Sequence, residues 1–392
     1  SSRFAPDNRW GFFPSFSAGY DISRTPYFTK LNLPVSQLKV RVSYGRLGNQ
    51  NGAGLYDYLG VMTLDPNNVN AWLLPGTGNK PAKGTISLTP KMISPYITWE
   101  KVDNANIGLD LMLFDDRLSV TFDAYQRMTK DMIGPAEAIP AVSGIVPDDR
   151  AKINNATLRN RGWELSVNWQ DKLKCGFSYG IGFNLFDYKA VVTKYNNPEG
   201  IIYNNHTGLA RNKGYYEGMD IGEIWGFVAD DLFMTNREVD DYLQSKDLSF
   251  FKADNLWQAG DLKYIDVNRD GKVDPGKGTL DDHGDLRIIG NTTPKYSFGI
   301  NLNAGYKGFE GFQVSTLFQG VGKRDFPLAG STYLFGGKNY FKEHLDYFSP
   351  QNPDAYLPRL ADPKTDDYRV NAGYNTTRYM VNAAYMRMKN LT

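Results

Sequence analysis

Apolar and polar side chains alternate along most of this chain, in stretches of roughly ten to thirteen residues joined by segments that are by turns very short and very long. Between Arg117 and Met128, Leu118, Val120, Phe122 and Ala124 fall on one face of an extended chain, while Ser119, Thr121, Asp123 and Arg127 fall on the other. The same split runs through Ile107, Leu109, Leu111 and Leu113, through Trp163, Leu165, Val167 and Trp169, and through Phe177, Tyr179, Ile181, Phe183 and Leu185. It returns in Tyr296, Phe298, Ile300, Leu302, Ala304 and Tyr306, set against Ser297, Gly299, Asn301 and Asn303, and again in Phe312, Val314, Thr316 and Phe318.

This rhythm predicts about nine strands, near 12–22, 37–47, 104–114, 117–128, 158–169, 175–187, 295–306, 312–322 and 378–390, each about long enough to cross a bilayer when tilted. Tight turns are expected at Asp115-Asp116, Asp171 to Lys174 and Lys307 to Gly311, with a moderate link from Ser23 to Ser36. Between them come long segments at 48–103, 129–157, 188–294 and 323–377. A meander whose every second connection is long gathers the long loops at one end of the sheet, as outer-membrane barrels do with short periplasmic turns and long extracellular loops. The fold class expected is all-β, an antiparallel up-and-down transmembrane β-barrel. The alternative is a soluble, calcium-binding all-β carbohydrate-binding module whose aliphatic faces pack against a second sheet.

An odd number of strands does not close a barrel of the bacterial type, and an open edge in lipid leaves backbone groups unpaired at several kcal/mol each. The expectation is therefore that residues 1–392 form part of one larger barrel domain from a longer polypeptide. Composition adds exclusions. The chain of 392 residues is 41% hydrophobic with a net charge of +1, and it holds no run of eighteen apolar residues for a transmembrane helix and no basic stripe for nucleic acid. The single cysteine, Cys175, falls in an expected strand and is read as packing.

The run Asp7-Asn8-Arg9-Trp10-Gly11-Phe12-Phe13-Pro14-Ser15-Phe16-Ser17-Ala18-Gly19-Tyr20, followed by Leu38 to Gly45 and by Gly48-Asn49-Gln50, resembles the mid-barrel of SusC/RagA-type TonB-dependent outer-membrane transporters of Bacteroidetes. So do Gly260-Asp261-Leu262-Lys263-Tyr264 with Asp266 to Gly271, Ile288 to Tyr296, Phe318 to Gly322, and the closing Ala384 to Asn390. The resemblance covers nearly the whole chain. It implies part of a barrel of about 22 strands, without the plug and without the segment that contacts TonB. It also implies a place in the Gram-negative outer membrane, a SusD-like lipoprotein lid as partner, TonB as energy source, and an oligosaccharide or peptide as cargo.

The strongest chemical motif is Asp266-x-Asn268-x-Asp270-Gly271-x-x-Asp274, whose spaced oxygens and turn glycine suit calcium with six to eight oxygen ligands at about 2.3–2.6 Å. Asp266, Asn268, Asp270, Lys272 and Asp274 are the candidate metal set. Lys277 stands where an EF-hand has its bidentate glutamate, so Asp274, Asp281, Asp282 or Asp285 would complete the shell. The bland alternative is a turn capped by Asx side chains without an ion. Among loop aromatics, Trp72, Trp225, Tyr333 and Tyr340 are candidate substrate contacts, and core packing is their alternative reading.

No catalytic constellation appears. His206, His283 and His344 lie in expected loops at no metal-ligand spacing and read as surface residues, and no nucleophile elbow or P-loop is present. An enzyme is not expected. Segment 188–294 is too long to be structureless and reads as a small outer subdomain, with a helix near Asn236 to Ser245 capped by Asn236. Segment 323–377 reads as a second long extracellular loop.

Overall fold

The computed structural model describes residues 2–31, 33–55, 57–60, 92–136, 150–202, 214–251, 257–308, 311–328, 341–360, 370–371 and 373–392, with short strand pieces between 64 and 87. Nine strands form one sheet: β1 (Ser15–Asp21), β2 (Val35–Asn49), β3 (Glu100–Leu113), β4 (Leu118–Pro135), β5 (Lys152–Lys172), β6 (Phe177–Lys194), β7 (Lys295–Tyr306), β8 (Phe312–Lys323) and β9 (Tyr385–Leu391). Each pairs antiparallel with the next in chain order, and β1 and β9 are the edges. All nine expected strands are present in the expected order.

Register turns the alternation into continuous rows. Leu38 lies opposite Leu111, which lies opposite Val120, then Val167, Phe183, Ile300, Phe318 and Met388. The next row runs Val40, Leu109, Phe122, Leu165, Leu185 and Phe298. Such cross-strand apolar pairs hold the register, because a slip by one residue moves every apolar side chain to the other face. None of the described residues forms a second layer over this face: Ile107, Phe122 and Ile181 stand 55%, 39% and 49% exposed, and none of the row belongs to a buried core cluster. The soluble-module alternative, which needs that layer, is not met among the described residues.

Aromatics border the apolar band. At the short-turn end Phe114, Trp169, Tyr179, Tyr306 and Phe312 gather, with Phe114 6.3 Å from Trp169 and Trp169 donating to the Tyr179 hydroxyl at 3.4 Å. At the other end stand Tyr44, Trp163 and Tyr296. From Tyr296 to Tyr306 a strand rises about 34 Å, or about 25 Å of depth at a tilt near 40°. That is the height of the apolar band on an outer-membrane barrel.

The turn at Asp115-Asp116 is where it was expected, whereas the turn expected at Asp171 to Lys174 falls at 173–176 because β5 runs on to Lys172. Phe114, Asp115 and Asp116 all take left-handed backbone (φ 58°, 56° and 64°), a conformation aspartate tolerates through local hydrogen bonding. Three other expectations need correction. Strands β4 and β5 run well past their predicted ends, so much of segment 129–157 is hairpin rather than loop; backbone pairing continues into the aqueous region, where the apolar alternation that marks a strand stops. The expected last strand is two: Met380–Asn382 pairs with Asp325–Pro327, and β9 begins at Tyr385. Cys175 is exposed in the turn between β5 and β6, not packed in a strand.

The main buried core lies outside the sheet. The 188–294 segment supplies two ribbons, Glu223–Phe227 with Leu286–Asn291 and Ala229–Leu232 with Leu262–Tyr264, and a helix, Asn236–Leu243. Thr235, not Asn236, caps that helix, its hydroxyl accepting from the Glu238 N–H at 3.1 Å, while Asn236 accepts from the Ala259 N–H. The extended backbone of Thr235 suits the cap position. Segment 323–377 enters the same core through Phe348, Leu357, Val370 and Tyr374. The two long segments thus share one core at the long-loop end of the sheet, where a subdomain and a separate loop were expected. Its seat on the sheet is the end of β6, where Val192 joins its core and Leu158 of β5 packs alongside.

Candidate functional site

The face opposite the apolar band is polar and carries an ion-paired cluster at its centre. Arg41 of β2 makes a two-pronged bond to Asp110 (2.8 and 3.0 Å) and reaches Asp123 at 3.0 Å. Gly108 lies beneath this bridge: a methyl group there would sit 2.5 Å from Asp123 Oδ1 and 2.6 Å from Arg41 Cζ, so the guanidinium occupies the space a side chain would take. Tyr125 covers Gly162 in the same way, and Asn303 covers Gly180. Glu164, Asn168 and Asn301 continue the polar rows, with Asp123 opposite Glu164 and Asn168 opposite Gly182. A hollow of about 260 Å³ opens on this face beside Ser17, Lys39, Arg41, Ser43 and Asn106. A sheet with one face built for hydrocarbon and the other for hydrogen bonding to water or solute is the wall of a channel.

The outer subdomain is built on aromatic rings. Phe227 packs edge-on against Phe251, Tyr264 and Tyr374 (5.0, 5.7 and 5.8 Å), and Phe251 stacks on Tyr264 at 4.1 Å. Each such pair contributes about 0.5–1.5 kcal/mol beyond the area it buries. One carboxylate joins the two long segments: Asp261, fully buried, accepts from Arg359 Nε at 2.7 Å, Arg359 Nη2 at 3.3 Å, Asn371 Nδ2 at 2.7 Å and the Gln258 N–H at 3.0 Å. Asn375 donates across the same seam to the Trp225 carbonyl at 3.2 Å. Asp261, Arg359 and Asn371 were not singled out from sequence. The partners lie about a hundred residues apart and no local pattern links them.

In the acidic loop Asp266, Asn268, Asp270, Asp274 and Asp285 each have a protein partner. Asp266 accepts from the N–H groups of Arg269 (2.6 Å) and Gly271 (3.0 Å) and pairs with Lys246 at 2.5 Å. Burial disfavours its charged form, yet these bonds outweigh burial and hold its carboxyl below the ordinary value. Asn268 accepts from the Asp270 N–H at 3.1 Å and donates to the Asp270 carboxylate, Asp270 accepts from the Lys272 N–H at 2.8 Å, and Asp274 accepts from the Gly276 N–H at 2.7 Å. Gly271 takes φ 88°, the turn expected of it. Asp285 is the hub, taking N–H groups from Val267, Asn268 and Asp274 at 2.6, 3.2 and 3.0 Å, and burial raises its carboxyl above the ordinary value. Among the described residues no three acid or histidine side chains converge as a metal site. The loop's hydrogen bonds are those of Asx turns, with Lys246 beside them.

Trp225 is buried in the subdomain core, 6% exposed, its Nε1 donating to Glu223 at 2.9 Å, so its ring serves packing. Trp72, Tyr333 and Tyr340 lie outside the described residues. His344 is buried rather than on the surface: its Nδ1 accepts from the Phe341 N–H at 2.8 Å and closes a short helical turn. Glu223 also went unremarked in the sequence. It is buried, accepts from Trp225, the Asp220 N–H and the Tyr216 hydroxyl, and its burial raises the carboxyl above the ordinary value.

Known proteins share this arrangement. The chain is 26% identical over its whole length to the TonB-dependent receptor P3 of Formosa agariphila, covering 35% of that protein, and 26% identical over 79% of its length to the TonB-dependent receptor SusC of Bacteroides thetaiotaomicron, covering 28%. Its fold superposes on the RagAB peptide transporter with a TM-score of 0.68 at 21% identity, over 99% of this chain and 37% of that one. The chain thus spans about a third of the length of the relatives it matches. The family profile described as TonB dependent receptor-like, beta-barrel matches residues 1–391. With its membrane band, polar inner face and outer subdomain, the chain belongs to the TonB-dependent receptor-like β-barrel family of the outer membrane.

Proposed function

We propose that this chain is the wall and outer mouth of a SusC/RagA-type TonB-dependent transporter that imports oligosaccharides or peptides together with a SusD-like lipoprotein lid. The observation that carries this reading is the division of one sheet into an apolar face uncovered among the described residues and a polar face with an ion-paired cluster, beside a subdomain in which two long segments share a core. The first property suits a wall between lipid and a wet lumen. The second supplies a firm platform at the extracellular mouth, where a lid protein docks. In this reading the edges of β1 and β9 pair with further strands of the barrel, since unpaired backbone is not tolerated in hydrocarbon.

The test uses the full-length protein in a strain lacking its gene. Uptake of labelled oligopeptides and oligosaccharides is measured with and without a protonophore, and the lid is sought by co-purification. Uptake of one class that returns with the gene and stops with the protonophore supports energised import. Uptake that ignores the protonophore makes the protein a passive pore and overturns the reading.

A further inference from the structure

Just beyond the aromatic border at the long-loop end, the outward face changes from apolar to cationic. Trp163 lies in the border row, and the next outward residues of β5 are Arg161 and Arg159. Arg161 stands directly opposite Lys189 of β6, and Arg159 opposite Val191. Like charges directly opposed across a strand pair repel. Lys189 has Asp220 within 3.5 Å, whereas Arg161 bonds only to Gln126 (2.6 Å), and neither arginine has a carboxylate partner among the described residues. The other acids nearby are engaged elsewhere. Asp187 beside Trp163 faces Lys295 at 3.8 Å, and Asp103 already serves both Arg46 and Lys130. Arg161 is exposed and the Lys189 side chain is 62% exposed, so the cluster opens outward rather than into the subdomain.

At this height outward side chains meet lipid headgroups. We propose that Arg159, Arg161 and Lys189 bind the phosphate of a glycolipid headgroup in the outer leaflet. A phosphate seated between the opposed cations removes their repulsion, and guanidinium groups bind phosphate oxygens in pairs. The Trp163 ring, one row toward the membrane centre, lies level with the sugar and upper acyl region. Basic clusters beside a membrane attract anionic lipid in this manner.

The test is native mass spectrometry of the full-length protein in detergent, titrated with diphosphoryl lipid A, with dephosphorylated lipid A, and with diphosphoryl lipid A in the presence of inorganic phosphate. The wild type is expected to hold the phosphorylated lipid roughly tenfold or more tighter than the dephosphorylated one. The double change Arg159→Gln with Arg161→Gln should abolish that preference, and Arg159→Lys with Arg161→Lys should keep part of it. If the glutamine pair does not fold, as judged by heat-modifiable migration, Lys189→Gln decides instead, and it must weaken the preference. A wild-type protein that does not distinguish the two lipids, or substituted proteins that keep the full preference, overturns the proposal. Displacement of the lipid by an equal concentration of inorganic phosphate would make this a free-anion site and overturn the lipid assignment.

Discussion

Replacing Asp261 by Ala removes the carboxylate that Arg359 and Asn371 share, the charged part of the polar seam between the two long segments. Arg359, at 15% side-chain exposure, loses the carboxylate that both its Nε and its Nη2 bond. Deleting one partner of a buried ion pair costs about 3–5 kcal/mol, most of it from the charge left behind. The residual solvent access of Arg359 favours the lower end, about 3 kcal/mol, which multiplies local opening roughly a hundredfold. Hydrogen exchange followed by mass spectrometry on the full-length protein in detergent reads this directly. Amides near 257–264 and 355–360 should exchange about a hundredfold faster, while β4 to β6 keep their wild-type rates. Arg359→Ala should then cost little on top of Asp261→Ala, because the two side chains act as one unit. Full additivity of the two losses, or acceleration spread evenly over β4 to β6, would refute the view that this clasp joins the segments.

Val120→Arg, on the apolar row with Leu111 and Val167, should destabilise the barrel by about 2–4 kcal/mol in denaturant-dependent folding into vesicles; Thr121→Arg on the polar face should cost clearly less, and the reverse order would exchange the two faces. Asp285→Ala strips three backbone N–H groups of their acceptor and should expose the 266–285 loop to protease, whereas EDTA should leave it resistant because Lys246 and the Asx turns already satisfy Asp266; cleavage on chelation would restore calcium to the loop. Burial raises the Glu223 carboxyl in the folded protein, so the native state binds its proton more tightly than the unfolded chain and stability falls as pH rises from the ordinary carboxylate value through the raised one. Exchange at 216–227, corrected for intrinsic rates, should therefore slow as pH is lowered from neutral toward that ordinary value, and Glu223→Gln should flatten the dependence.

The membrane part of the fold was legible because hydrocarbon on one side of a strand imposes a period of two at Val120, Phe122, Leu165 and Val167, and any reader of the chain meets it. Beyond the band the same strands carry Arg159, Arg161 and Lys130 on that face, the alternation loses its apolar member, and the strand ends at 135 and 152 became invisible. The outer subdomain was half legible. Its existence followed from loop length and its helix from local signals, but the pairing of Asp261 with Arg359 across 98 residues has no local signature. Trp225 and His344 show the same limit from the side of burial: their residue types suit ligand contact or surface, and only long-range packing puts them inside. The acidic loop was ambiguous for a chemical reason. Asp and Asn at alternating positions suit both a cation and backbone N–H groups, and Lys246, which favours the second arrangement, lies twenty residues upstream.

The shared core of segments 188–294 and 323–377 bears on how such proteins diversify. Loops that fold alone are exchanged one at a time, each recombination event leaving the rest of the mouth intact. Here a donor copy of 188–294 would bring its own Asp261 equivalent and its own face for Tyr374, and would meet an Arg359 and an Asn371 shaped by a different ancestor. Transplants confined to one segment should therefore fail where transplants of both succeed, making residues 188–377, with the β7–β8 hairpin between the two segments, the smallest piece of this mouth that passes between lineages in working order.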